Sequence, residues 1–296
     1  MIITRSMQMP IAFYSMEEKM IKEPPFSVAM SVYHKDDAAF FDRALSSITE
    51  LQSVRPSEIV LICDGPLNDD LDAVIDKYRV RYPIFKIIRL SKNQGLGNAL
   101  RLAVENASYE LIARMDSDDI SVYDRFEQQL SFFNEHPEID IIGGNITEFD
   151  GEESNIIGKR VVPTSDAEIK EYMKKRAAFN HVSVMYKKSA VQAAGGYRDW
   201  FWNEDYFLWI RMQLNNAVFA NTGTILVNVR AGEEMYRRRG GWKYFQSEYG
   251  LQKLMLSNRM INHSLFLCNV LKRAIIQLLL PNSVRGFVFK TFARSH

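Results

Sequence analysis

From residue 26 to residue 115 the chain alternates short apolar runs with amphipathic stretches, and this alternation constrains the fold more than any other feature. Residues 26–33, 58–63, 85–90 and 111–115 read as strands, and 38–51, 69–82 and 96–106 as helices, with Phe41, Ala44, Leu45 and Ile48 on one face of the first. Strands joined through helices must pair in parallel, with helices on both faces of the sheet and right-handed crossovers. Further helices are predicted at 124–134, 167–175, 189–194 and 204–214, and further strands at 139–144, 181–186, 218–220 and 225–229. No repeat or flexible linker interrupts them. The fold class is α/β, with a loose, methionine-rich leader over 1–25 (or an upstream start codon), a main domain over 26–230 and a basic, helical extension over 231–296.

The net charge of +1 hides an asymmetry. From Arg230 onward there are twelve Lys and Arg against three acids, a net of +9, which leaves −8 on residues 1–229. A basic tail on an acidic body points to an anionic partner, and by charge alone phospholipid and nucleic acid both qualify. Cys63 and Cys268 form no disulfide framework, which fits a reducing cytosol, and the five histidines lack zinc-ligand spacing. Neither a signal peptide nor a spanning helix is expected. The nearest candidate, 264–280, is interrupted by Lys272-Arg273.

Asp116-Ser117-Asp118-Asp119 places three carboxylates directly after an apolar strand, at the carboxyl edge where open α/β sheets bind ligands. Like charges so close call for a cation. Mg²⁺ and Mn²⁺ favour carboxylate oxygen and share their shell with substrate phosphates. The other reading is an acidic helix start, with Asp118 or Asp119 as cap.

Other stretches carry two readings each. Asp64, at the end of the second strand, suits a ribose or nucleobase contact, and Asp64-Gly65-Pro66 equally suits an Asx turn. Asn93-Gln94-Gly95-Leu96-Gly97 opens a helix and lets backbone approach a nucleotide, but Leu100 stands where the dinucleotide fingerprint needs glycine. Glu204-Asp205, beside Trp202 and before an apolar helix, is either a dipole-favoured start or a general base whose pKa is raised by apolar neighbours. His181 reads first as a structural histidine. Arg237-Arg238-Arg239, flanked by aromatics, is either a diphosphate clamp or a solvated loop. The stripe Leu267, Leu271, Ala274, Ile275, Leu278 and Leu279 is either an interfacial helix or ordinary packing.

Taken in order, these pieces resemble a known family. Residues 28–33 (Val-Ala-Met-Ser-Val-Tyr), Ile62-Cys63-Asp64-Gly65, Asn93-Gln94-Gly95-Leu96 and residues 113–119 are similar to segments of family 2 glycosyltransferases with the GT-A fold. So are Gly195-Gly196-Tyr197-Arg198 and Asn203-Glu204-Asp205-Tyr206, with Leu208-Trp209 and Arg211. The similarity spans about residues 26–230 and points to enzymes of bacterial O-antigen and capsule assembly. It implies a Rossmann-like, mostly parallel sheet. It implies that Ser31, Val32, Tyr33 and Asp64 line the nucleobase pocket, with Asn93 and Gly95 as further nucleotide contacts. Asp116 and Asp118 match the family's DxD acids, which hold ribose and metal, with Ser117 between them on the donor side and Asp119 beside them. Asp205 matches the catalytic base, with Glu204 as alternative. His181, Trp202, Arg237 and Arg238 fall on the acceptor side. The chain departs from the family pattern at Cys63-Asp64, where a pair of acids is usual, and at Asn98 and Arg101, where an Arg near the helix start is usual. The Gln-x-x-Arg-Trp motif of processive synthases is absent, which implies transfer of a single sugar.

The resemblance therefore implies an inverting transferase dependent on Mn²⁺ or Mg²⁺. It would move one hexose, glucose or galactose, from a UDP-sugar to a polyprenyl-diphosphate-linked sugar at the cytoplasmic face of the inner membrane. An anionic membrane surface is then a partner, and nucleic acid is not. Two other classes compete. A sugar nucleotidyltransferase needs a Gly-rich loop ending in Lys near the first strand, where this chain has Tyr33-His34-Lys35-Asp36-Asp37. A non-catalytic membrane-binding protein would bind vesicles and leave UDP-sugars intact.

Overall fold

A computed structural model describes residues 23–232 and 240–280. In chain order its elements are β1 (Phe26–Val32), α1 (Ala38–Ile48), β2 (Glu58–Cys63), α2 (Asp69–Arg81), β3 (Phe85–Arg89), α3 (Leu96–Asn106), β4 (Leu111–Met115), β5 (Ile120–Ser121), α4 (Arg125–Glu135), β6 (Ile141–Phe149), β7 (Ile156–Arg160), α5 (Asp166–Met173), β8 (Met185–Lys187), α6 (Lys188–Ala193), α7 (Glu204–Leu214), β9 (Phe219–Arg230), α8 (Trp242–Ser257) and α9 (His263–Ala274).

The central strands are apolar on both sides because both sides are covered. Phe26, Val28, Met30, Ile59, Leu61 and Ala113 pack with α1, α2 and α4 on one face, while Ala29, Val60, Ile62 and Ile112 pack with α3, α7 and α8 on the other. Each fully buried Leu, Ile or Phe contributes roughly 1.5–3 kcal/mol before the entropic cost of ordering it. Local chemistry sets the helix starts. The Asp37 carboxylate accepts the N–H groups of Ala39 (2.9 Å) and Phe40 (3.0 Å) at α1, and Asn68 accepts that of Leu71 (2.9 Å) at α2.

The strand order is β3-β2-β1-β4-β8-β6-β9-β5, with β7 on β6. The first four strands are parallel, as the alternation predicts. Beyond β4 the sheet is mixed, because β8 runs antiparallel to both β4 and β6 while β9 runs parallel to β6.

Two expectations change in this half. The predicted strand 181–186 begins instead as a tight turn, His181–Ser183. There the Ser183 hydroxyl and N–H both donate to the Asn180 carbonyl, at 2.8 and 2.9 Å. The two short strands predicted at 218–220 and 225–229 are one strand, β9. Its Thr222-Gly223-Thr224 reads as a break in the sequence, but Gly223 at φ +77° carries the chain through as an irregularity, and the Asn145 amide holds its carbonyl at 2.6 Å.

The described part of the extension belongs to the same body. Leu251 and Met255 of α8 join the core beside α7. The α9 helix docks through Leu265 and Phe266, which pack on the core, and through polar contacts. Asn269 Nδ2 donates to the Lys174 carbonyl and to Gln252 Oε1, both at 2.9 Å, and Arg273 pairs with Glu248 and donates to the Lys175 carbonyl (2.7 Å). Leu267 and Leu271 face outward, so the reading of this stripe as the packed side does not hold: the helix is packed on its other side. No helix among the described residues is long and apolar enough to cross a membrane.

Candidate active site

The turns at the carboxyl edge of β1, β2, β3 and β4 are bonded to one another. The Tyr33 N–H and the Ser117 hydroxyl both donate to Asp36 Oδ2, at 3.1 and 2.8 Å, which ties the turn after β1 to the acids after β4. The Asp64 carboxylate accepts the N–H groups of Gln94 (2.7 Å) and Gly95 (3.0 Å), while the Asn93 amide donates to the Asp64 carbonyl (3.3 Å). A side chain at Gly65 would come within 2.8 Å of the Asn93 nitrogen, so these two turns touch. Gly95, at φ +85°, begins α3 without a side-chain cap of its own, and Asp64 supplies the missing acceptor. Asp64, only 4% exposed, thus fixes the Asn93–Gly95 loop.

The three acids after β4 have separate environments. Asp116 is part-exposed and pairs with Arg114, whose side chain is buried beneath it. Asp118 opens to solvent at the mouth of the cleft, yet the protein around its carboxyl, and next the charges of Asp116 and Asp36, push it up to about 6. Asp119 is 3% exposed, and its Oδ1 accepts the Arg230 N–H at 2.9 Å. Burial, then Asp118, hold its carboxyl well above the usual carboxylate range. Asp119 therefore anchors the end of β9 through one of its two oxygens. The Val32 side chain lies in the core at 1% exposure, and its carbonyl accepts the Asp64 N–H (2.8 Å).

The acids of α7 meet this edge. A side chain at Gly97 would lie 3.2 Å from the Arg198 carbonyl and 3.4 Å from Glu204 Cβ, so the first turn of α3 rests directly on the 198–204 segment. Burial first, then Asp205, push Glu204 up to about 7, and the Asp116 charge adds to the rise. The acids that open α7 thus stand beside the loop that Asp64 holds at the carboxyl edge.

Trp202 stands at the rim, 51% exposed and at φ +55°, a backbone state that L-residues with large side chains rarely hold. Its loop is pinned by Ser247 of α8. The Ser247 hydroxyl accepts from Asn203 Nδ2 (3.0 Å) and donates to the Phe201 carbonyl (2.7 Å), while its carbonyl accepts from Trp200 Nε1 (3.1 Å). His181 sits deeper. Its Nε2 is 2.9 Å from the Tyr197 hydroxyl, and burial, then Arg114, hold the ring neutral. Arg237 and Arg238 lie outside the described residues. Sequence reasoning missed Asp36, Arg114 and Ser247. Asp36 had one signal, an acid beside the cap Asp37 at a strand end.

The donor set suits a hard divalent cation. Asp116 and Asp118 offer carboxylate oxygens, and burial first, then the charges of Asp116 and Asp36, raise Asp118, costs that a cation would offset. Among the described residues no group of three or more His, Cys, Asp or Glu forms a metal cage. Mg²⁺ is held in this way, by one or two carboxylates plus substrate phosphates. A hollow of about 550 Å³ lined by Glu171, Lys174, Arg259 and His263 shares no residue with this cleft.

Residues 27–199 match the family model described as glycosyl transferase family 2. The chain belongs to glycosyl transferase family 2. It is 38% identical over 276 residues to an uncharacterized glycosyltransferase of Haemophilus influenzae, covering 91% of this chain and 99% of that one. It is 37% identical over 273 residues to the Escherichia coli UDP-Gal:alpha-D-GlcNAc-diphosphoundecaprenol beta-1,3-galactosyltransferase, covering 92% and 97%. Among solved structures it resembles S. aureus TarS 1–349, with TM-score 0.63 and 17% identity over 90% of this chain and 75% of that one. It spans 43% of the longer TarS chain. That likeness gives the GT-A type of fold expected from the sequence. As a family 2 glycosyltransferase the chain is an enzyme of sugar transfer, and the nucleotidyltransferase and non-catalytic readings fall away.

Proposed function

We propose that this glycosyltransferase moves one hexose, galactose or glucose, from a UDP-sugar to a hydroxyl of a polyprenyl-diphosphate-linked sugar, with inversion at the anomeric carbon. One observation carries the reading. The first turn of α3, at the sheet edge that ends in Asp116 and Asp118, lies against the start of α7, where a Cβ at Gly97 would come within 3.4 Å of Glu204 Cβ; this supports a proton acceptor beside a diphosphate-binding edge. The substrates follow from the E. coli relative, whose name states galactose transfer from UDP-Gal to GlcNAc-diphosphoundecaprenol. Its beta linkage is the product of inversion when the donor is an α-linked UDP-sugar.

In this reading the turns after β1 and β4 hold the nucleotide, with Ser31, Tyr33, Asn93 and Ser117 at their edge. Asp116 and Asp118 would hold Mg²⁺ or Mn²⁺, which supplies positive charge to the departing diphosphate. Asp116, paired with Arg114, also faces the ribose. Asp205 accepts the proton of the acceptor hydroxyl as its oxygen bonds to C1 and the C1–phosphate oxygen bond breaks, releasing UDP. Glu204 is the alternative base. Trp202 offers its exposed ring to the sugar C–H faces of the acceptor. Work on a lipid-linked acceptor places the enzyme at a membrane surface, on the cytoplasmic side where UDP-sugars are made.

The test is a panel of radiolabelled nucleotide sugars against synthetic lipid-diphosphate acceptors. Transfer of one hexose from UDP-galactose or UDP-glucose to an N-acetylhexosamine-diphosphate lipid is expected. Label that never leaves any UDP-sugar for such an acceptor would refute the assignment.

A further inference from the structure

The α9 helix leaves a row of large aliphatics outward, unusual for a helix at the surface of a body in water. Leu265 and Phe266 at its start pack on the core, but further along the docked face is polar, with Asn269 and, in the turn that follows, Gln277 buried and Arg273 enclosed against Glu248. Its outward arc is apolar. Leu267 is 65% exposed, Leu271 57% and Leu279 73%, and Ile275 and Leu278 complete the row along α9 and the wider turn, Ile275–Leu279, that continues it. A helix normally turns such a stripe inward, and five large aliphatics in one exposed row mark a contact surface.

The row is continued by aromatic rings. Trp242, Phe245 and Tyr249 of α8 contact one another in series, with centroids 5.6 and 6.3 Å apart, and Tyr249 meets Phe266 of α9 at 5.9 Å. Trp242 is 61% exposed and Tyr249 40%. Rings of this kind favour the headgroup level of a bilayer.

Charge decides the occupant. Between Gly240 and Leu280 there is one acid, Glu248, and it is already paired with Arg273. The other charged side chains of this stretch are Lys243, Lys253, Arg259 and Lys272, all exposed and all cationic. A second copy of the chain on a two-fold axis would set these cations against themselves. An anionic lipid surface accepts the apolar row and the cations together.

We propose that the outward face of α9, with the exposed rings of α8, is the docking surface for an anionic bilayer. The proposal rests on this surface and not on the chemistry of the cleft. The test uses the purified full chain and vesicles of phosphatidylcholine with or without phosphatidylglycerol. Sedimentation with the anionic vesicles is expected, weakened by salt. The double variant L271E/L279E, changed only at exposed positions, should lower the bound fraction at least about tenfold. UDP binding by the variant, measured by titration, checks that it is folded. Binding unchanged in the double variant overturns the proposal, as does a wild-type chain that stays in solution with anionic vesicles. A variant that breaks a dimer while keeping its vesicle affinity also overturns it and assigns the face to a second copy. Vesicle binding without any sugar transfer would sink the proposed reaction and leave the docking surface standing.

Discussion

Gly97 in the first turn of α3 lies against Glu204 at the start of α7, so close that a Cβ at position 97 would come within 3.4 Å of the Glu204 Cβ. The Asn93–Gly95 loop that Asp64 holds and the acid pair of α7 thereby stand side by side, although they are far apart in sequence.

Asp118 and Asp119 should separate cleanly. Asp118→Asn is expected to lower Mn²⁺-dependent UDP affinity by at least roughly 10–100-fold, the range that loss of even an outer-shell partner of a metal ligand costs. Asp119→Asn should keep that affinity, since an amide oxygen can still accept the Arg230 N–H. Isothermal titration of UDP with and without Mn²⁺ measures both. Equal losses would return Asp119 to the metal.

Asp205→Asn should leave UDP affinity intact and lower transfer by about 10²–10⁴-fold, the range for loss of a general base. In the parent enzyme kcat/KM should fall as pH drops through about 7, where the Glu204–Asp205 pair, sharing one site, takes up its first proton. Glu204→Gln removes the like charge and should move that limb to lower pH. An unmoved limb in Glu204→Gln would mean that the pair does not titrate as a unit.

The raised acids make a stability prediction whose sign is opposite to that of ordinary paired carboxylates. Folding lifts Asp118 to about 6 and Glu204 to about 7, so the folded chain binds protons that the unfolded chain does not. Their charged forms cost stability above about 7, and the cost is relieved as pH falls through both values. Without metal, Tm should rise between about pH 8 and about pH 6, and Mn²⁺ should flatten that slope by stabilising the charged form of Asp118. Calorimetric scans at both limits, with metal and with chelator, decide it. A metal-free Tm that falls on acidification contradicts the electrostatics described.

Ser247→Ala removes both side-chain bonds to the loop before the acids and leaves the buried Asn203 amide without its partner. A stability loss of about 1–3 kcal/mol is expected. UDP affinity should persist while KM for the acceptor rises, because the loop that moves carries Trp202 rather than a donor contact. Acceptor kinetics at saturating donor, compared with urea unfolding, separate the two effects.

The parallel half of the sheet was legible because its strands are continuous apolar runs broken by helix-capping residues, such as Asp37 and Asn68. The other half was not, because its order depends on long-range pairing. Nothing local shows that β8 will lie between β4 and β6, or that Thr222-Gly223-Thr224 is an irregularity within a strand. The acids of the cleft were legible as short motifs at strand and helix ends. Their division of labour was not, since Asp118 and Asp119 are neighbours in sequence and differ only in what surrounds them. Arg114 passed as one residue of an apolar strand, and Ser247 has no motif at all. On α9 the stripe itself was visible, but its direction rests on the hydrogen bonds of Asn269 and the Arg273–Glu248 pair.

Ser247 links α8 to the loop ahead of Glu204, and Gln252 and Glu248 link α8 to α9. Whatever α9 rests upon is therefore joined through α8 to the loop that carries Trp202 and leads into Glu204, as a shelf is joined to a wall by its bracket.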